Sequence, residues 1–528
     1  MAVSCTNRST VPAHHRAVWC WLTRPREAGR RVIGVQTSDT PAGRGPRIGI
    51  WGTFDLENYG DMLFPLVIEE ELARRLPEAR LRRLAPVGAG RPNRFDAGRP
   101  AEDLGPWSPT RVAELADELD LVVVGGGEII HTRDELLAPH YGRSPEEMVE
   151  RAPSRFFIEG LGPDLEREVP VVWTSVGIPF DPEDGEVLRR ALVHRPTITV
   201  RDEISRSRLE ALGLEAQVVP DPILLLPRIW GPDLLERRLR HLRAMDWYPE
   251  RGWTLIAQGN RAGLPQADET AAAIDRIVEG REDPTVVIVS TGPIHGDDAF
   301  AAALKEGLGA RTILLPEAGL QDVAAAIAHA DGFVGSSLHG NITAAAYGRP
   351  HAILGWGGES KLEGFAALLE APESVARTPQ DLPAAFEKME ARGPRPDVLA
   401  TLQDRVEKHF DRVAELAREA AARRPGGAGE GEGDALRALG ELRDAYEARG
   451  RLLALGRWAA ADEAATQREE ARALRDEVAW LRGTVGDLER DVADRDRRIE
   501  EILTSRSWRA TAWLRALGRA GRRLLGRG

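Results

Sequence analysis

Two cysteines, Cys5 and Cys20, are the only thiols in 528 residues, and both sit close to the N-terminus. That excludes a disulfide framework and any cysteine-based metal cluster, and it fits a chain working in a reducing cytosol. Aromatic residues make up only 5% of the chain, yet 42% of it is hydrophobic, enough for a globular body. Long apolar runs are missing as well. No stretch approaches the roughly 20 residues a membrane span needs, and the N-terminus lacks the apolar segment of a secretory signal. The body is therefore expected in the cytoplasm. A formal net charge of −12 argues against nucleic acid as a partner. No cluster of His, Cys or carboxylates has metal-ligand spacing, so no metal is expected.

At this length one core cannot serve the whole chain. Residues 1–45 carry Arg, His, Pro and Ser without periodicity and read as a disordered leader. From residue 46 onward short apolar runs alternate with helical patterns. In 46–225, strands are expected at 48–51, 121–124, 170–174 and 197–200, with a helix over 62–76. In 226–395, strands are expected at 254–257, 285–290, 312–315, 332–335 and 351–354. Helices near 267–279, 298–307 and 320–330, and one after His339, separate them. Continuous apolar runs trailed by glycine mark fully buried strands of a parallel sheet. The expected fold class is α/β: two Rossmann-like domains facing a cleft, as in two-lobed glycosyltransferases, followed by C-terminal helices and a coiled coil.

Residues 396–424 read as a helical extension and 425–433, rich in glycine, as a flexible linker. Within 434–504, Leu474, Val478, Leu481, Val485, Leu488 and Val492 recur at alternating spacings of four and three. That is a coiled-coil seam, and a homo-oligomer is its expected consequence. The tail, 505–528, interleaves arginines with Trp508, Trp513 and leucines and has no acidic residue. It suits a helix lying on an anionic membrane, which would put the protein on the inner face of the plasma membrane. A solvated basic helix or a docking segment fits the same composition.

Residues able to do chemistry gather where strands end. Ser336-Ser337-Leu338-His339-Gly340 separates the strand at 332–335 from a helix. Unpaired amides and the positive end of the macrodipole favour phosphate or carboxylate at such a turn; the alternative is a capping serine beside an incidental histidine. In Asn58-Tyr59-Gly60-Asp61, Asp61 either caps the next helix or takes a proton from a hydroxyl. Gly126 and Gly127, after the strand at 121–124, either admit a ligand to the backbone or make a tight turn. Arg201 suits bidentate binding of a carboxylate or phosphate, or a salt bridge to a neighbouring acid. Lys361, after the strand at 351–354, is placed to reach the same cleft.

These segments, with Val200-Arg201-Asp202 and Ser205, Pro220-Asp221-Pro222, and Gly348-Arg349-Pro350, occur in one order over about residues 46–375. In that order they resemble the polysaccharide pyruvyl transferase family, and four ordered motifs are far more specific than any one. The resemblance implies transfer of a pyruvyl group from phosphoenolpyruvate to a sugar, commonly as a ketal across two hydroxyls, with release of phosphate. Phosphoenolpyruvate is then a co-substrate, with no separate cofactor, and the acceptor is a cell-surface glycan or a lipid-linked saccharide precursor. The implied roles are His339 as donor-binding residue and acid, Arg201 as anion clamp, and Asp61 as base or orienter on the acceptor side. Ser336, Ser337, Gly340, Gly126 and Gly127 would surround the donor, with Asn58 and Lys361 in the cleft. Family members often carry an Arg and a His separated by one residue. This chain keeps His339 but has Ser337 where that Arg would stand, so phosphate binding would rest on Arg201, the two serines and backbone amides. A nucleotide-sugar-dependent two-lobed glycosyltransferase and an inactive family fold acting as a coiled-coil scaffold are the other functions compatible with the sequence.

Overall fold

Leu121, Val122, Val123 and Val124 leave no polar face for solvent, and all four are fully buried in a strand covered on both sides. Alternate residues of this strand feed two different cores. Leu121 and Val123 join one hydrophobic cluster, and Val122 and Val124 join another. In the computed structural model the described residues are 45–423, apart from 89–92, 97–98, 162–168, 180, 183–184, 193–194, 196–197, 316–317 and 356–359, together with Thr511. The expected leader up to residue 44, the linker, the coiled coil and the basic tail lie outside the described residues, Thr511 apart.

The first sheet comprises β1 (Arg47–Trp51), β2 (Arg80–Ala85), β3 (Glu102–Asp103), β4 (Leu121–Gly125) and β5 (Val171–Thr174). Its order is β3-β2-β1-β4-β5, with every pairing parallel. A short parallel ladder, β6 (Thr199–Val200) and β7 (Gln217–Val218), joins through a bridge between Val176 and Val200. The second sheet comprises β8 (Thr254–Gln258), β9 (Thr285–Ile288), β10 (Arg311–Leu314), β11 (Gly332–Gly335), β12 (His351–Leu354) and β13 (Val375–Ala376). Its order is β10-β9-β8-β11-β12-β13, again parallel throughout. The expected α/β character is present in both lobes. Each strand order reverses once, between β1 and β4 and between β8 and β11, and such reversals open the crevices where ligands bind in parallel sheets.

Six helices matter for the site: α1 (Tyr59–Arg75), α2 (Glu203–Glu210), α3 (Asp297–Gly307), α4 (Leu338–Ala346), α5 (Ser360–Leu368) and α6 (Pro396–Ala422). One core runs through both lobes. It takes Ile48, Ile50 and Val123 from the first sheet and Ile256, Val287, Phe333 and Ile353 from the second. The opposite faces pack into separate outer cores, with Val122 and Val124 in one and Val286 and Val334 in the other. A continuous apolar interface of this kind favours a fixed relation between lobes over free hinge motion.

The helical extension expected over 396–424 turns out to complete the first lobe. Leu402, Val406, Phe410, Val413 and Ala417 of α6 form a helical stripe buried in the shared core. Gln403 Nε2 donates to Leu224 O at 2.8 Å, Arg75 Nε donates to Asp411 at 2.6 Å, and His409 Nε2 lies 2.9 Å from Thr174 Oγ1 at the end of β5. Burial pushes His409 down to about 4, so the ring beneath β5 is neutral at pH 7.

Candidate active site

The loop after β1 ends in Asn58, whose Oδ1 accepts from the amides of Gly60 at 2.9 Å and Asp61 at 3.4 Å. Asn58 is thus the N-cap of α1. Capping therefore falls to Asn58, and Asp61, one of the two roles left open for it, is released from that task. The Asp61 Oδ1 accepts from Thr53 Oγ1 at 3.2 Å. Burial pushes its carboxyl up to about 6, against the lowering influence of His339 and of the Thr53 hydrogen bond.

The loop after β4 turns on Gly126 and Gly127, with φ of 87° and 71°. Side chains rarely adopt that region, and space is short as well: a Cβ on Gly127 would lie 3.4 Å from Asp61 Oδ1. The two glycines let the backbone pass beside Asp61 and present Glu128, a residue not singled out from the sequence. Glu128 Oε1 lies 3.0 Å from Arg201 Nη2, and its Oε2 accepts from Lys361 Nζ at 3.2 Å. Burial raises the Glu128 carboxyl, but the Arg201 and Lys361 charges outweigh it and hold the group below its usual range.

Arg201 leaves β6 with its guanidinium against Gly177, where a Cβ would come within 2.6 Å of Nη2. Its Nε also donates to Asp202 at 3.3 Å. The salt-bridge reading of Arg201 is therefore realised, with two acids. Asp202 is itself fixed, since its Oδ1 caps α2 by accepting from Ser205 N at 2.7 Å.

From the second lobe, β11 delivers Ser336 and the start of α4. Ser337 is the N-cap, accepting from Gly340 N at 3.2 Å, while its own amide donates to Gln258 Oε1 at 2.7 Å. Gln258 in turn donates to Asp297, which also accepts from Thr291 and Gly292. Ser337 and the Gly340 amide are thus engaged in capping. Ser336 Oγ is buried with no hydrogen-bond partner among the described residues. His339 stands edge-on to Phe64 at 5.6 Å between ring centroids and packs so closely on Gly60 that a Cβ there would fall inside the imidazole. Its Nε2 lies 3.4 Å from Asp221 Oδ2, and both atoms are buried without a hydrogen-bond partner among the described residues. The other oxygen of Asp221 accepts from Ile223 N at 3.0 Å.

A pocket lined by Arg201, Asp202, Asp221, Leu338, Lys361 and Phe365 adjoins this group. Across the lobes, Tyr59 N donates to Thr291 O at 2.7 Å, and Tyr59 OH lies 3.2 Å from Thr343 Oγ1. These contacts fix α1 against α4, bringing Asp61 and His339 together from opposite sheets. His140 and His295 also meet across the cleft at 5.2 Å between rings. Burial, with His140 and Lys361 nearby, pushes His295 down to about 4. Among the described residues, no set of three or more His, Cys, Asp or Glu is arranged to hold a metal ion.

The sequence profile of polysaccharide pyruvyl transferases matches residues 58–358, more than half of the chain. The chain belongs to this family. Within it, the matched span carries every site residue described above except Thr53, Lys361 and Phe365. Comparison with curated protein sequences gives no match. Among solved structures, the chain is similar to UDP-GlcNAc 2-epimerase from Neisseria meningitidis bound to UDP-GlcNAc, at 13% identity and a TM-score of 0.41, covering 72% of this chain and 100% of the other. It is similar to the S. aureus MnaA–UDP structure at 12% identity and a TM-score of 0.43, over 73% and 100%. The wall teichoic acid polymerase TagF H548A is similar at 11% identity and a TM-score of 0.41, over 72% and 89%.

Glu128, Asp221, Gln258 and Thr53 took no assigned role from the sequence. For the first two a signal existed: Glu128 follows the glycine triplet, and Asp221 lies between two prolines in an ordered motif.

Proposed function

We propose that this family member transfers a pyruvyl group from phosphoenolpyruvate to a sugar of a cell-surface glycan or its lipid-linked precursor. The observation that carries the reading is the meeting of Asp61 and His339, one from each lobe, beside the cations Arg201 and Lys361. In such a transfer the methylene carbon of phosphoenolpyruvate takes a proton, which makes C2 electrophilic. A sugar hydroxyl adds to C2 through its oxygen and gives up its proton. The C2–O bond to phosphate then breaks as the second hydroxyl adds, so the two hydroxyl protons end on the new methyl group and on the departing phosphate.

The first proton is assigned to His339, whose imidazole Asp221 and Gly60 hold in place, because histidine can donate and accept near neutral pH. Asp61 takes the hydroxyl proton; with its carboxyl at about 6 it is ionised at pH 7 yet basic enough to accept. Arg201 and Lys361 bind the negative groups of the donor. The test is phosphate release from phosphoenolpyruvate in the presence of glycan acceptor. Release that requires the acceptor and falls by at least about 100-fold in His339→Ala supports the reading. Release unchanged by that substitution refutes it.

A further inference from the structure

Two cations from separate elements, Arg201 after β6 and Lys361 on the first turn of α5, converge on one carboxylate, that of Glu128. Each takes a different oxygen. The acids around Arg201 differ in how firmly they are tied. Asp202 is anchored as the cap of α2 and Asp221 by the Ile223 amide. Among the described residues the Glu128 oxygens meet the two cations themselves, and the residue follows two glycines in the left-handed region. Its side chain keeps 26% of its surface exposed, so it has solvent to move into. Fitting a small, multiply charged anion between Arg201 and Lys361 with Glu128 in place would set like charges at contact distance, where they repel.

We propose that Glu128 is a built-in substitute anion: it fills the Arg201–Lys361 site in the empty enzyme and must swing aside for the phosphate or carboxylate of the donor to bind. The identity of that donor rests on the proposed function; the site itself rests on geometry alone. Glu128 thereby sets donor affinity as a positioning residue and takes no part in bond making. It also adds to the charge compensation of the buried Arg201, which Asp202 contacts as well, when no ligand is present.

Calorimetric titration of the full chain with phosphoenolpyruvate, and separately with inorganic phosphate, tests this in wild type, Glu128→Gln and Lys361→Gln. Glu128→Gln is expected to bind both anions roughly tenfold tighter, as loss of one facing like charge implies, and Lys361→Gln to bind both more weakly. Glu128→Asp, which keeps the charge but withdraws it by one methylene, serves if the Gln variant does not fold, and is expected to fall between wild type and Gln. Equal or weaker phosphoenolpyruvate binding in a folded Glu128 variant overturns the proposal while leaving the donor assignment standing. Phosphate binding that tightens in Glu128→Gln, with no phosphoenolpyruvate binding to any variant, upholds the site and removes that donor. Failure of both anions to bind any variant overturns both.

Discussion

Asp61 is held in conflict between burial and charge. Its carboxyl titrates at about 6 in the folded chain, because burial disfavours the ionised form more than His339 and Thr53 favour it. Asp297, buried under four hydrogen bonds, is raised to about 6 for the same first reason. A carboxyl whose pKa rises on folding contributes stability that is complete below its unfolded value near 4 and is lost as the pH passes its folded value. At pH 8 ionised Asp61 therefore costs on the order of 3 kcal/mol. Asp61→Asn is expected to raise the melting temperature at pH 8 and leave it unchanged at pH 4, while transfer drops by about 100-fold or more. Wild-type kcat/KM should fall on the acid side with a midpoint near pH 6. A melting difference equal at both pH values would show that the charge is not the source.

Among the elements, the starts of α1 and α4 decide the site. Both begin with a capping side chain, Asn58 and Ser337, and both carry the reactive residue within the first turn. They meet where Gly60 lies against the His339 ring. Gly60→Ala is expected to displace the imidazole, destabilise the fold by about 1–3 kcal/mol and lower transfer far more than that loss of stability implies. Retained activity would mean that the ring has room to retreat.

The same elements show how far the sequence could be read. Strands made of Leu121–Val124 or Gly332–Gly335 announce themselves because both faces are apolar and a glycine follows. β2 is not legible, since Arg80, Arg82 and Arg83 obscure any pattern; Arg80 is exposed, and Arg82 and Arg83 are accommodated by Glu102, Glu118 and Glu69 from other elements. Motif residues were legible as positions but not as roles. Whether Ser337 caps or binds, and whether Arg201 is paired with a ligand or with Glu128, is set by tertiary neighbours that no local spacing encodes.

For the whole molecule, the shared core and α6 make one cooperative body from two sheets. Leu402, Val406, Phe410 and Val413 are each buried to 4% exposure or less, and at roughly 1.5–3 kcal/mol per side chain their sum is comparable with the roughly 5–15 kcal/mol that stabilises a domain. A chain ending at Arg395 is expected to lose its cooperative melting transition, because the face of α1 and the end of β5 would be stripped together. A truncated chain melting as the full one does would show that α6 is an accessory. Among the described residues no helix is long and apolar enough to cross a membrane.

The most direct measurement is the mass of a purified glycan acceptor after incubation with phosphoenolpyruvate and the full chain, with phosphate followed in the same sample. Wild type should add one pyruvate less one water to the acceptor for each phosphate released, and His339→Ala should add none. An acceptor of unchanged mass, under conditions where the folded protein binds phosphoenolpyruvate, would contradict pyruvyl transfer as the function of this site.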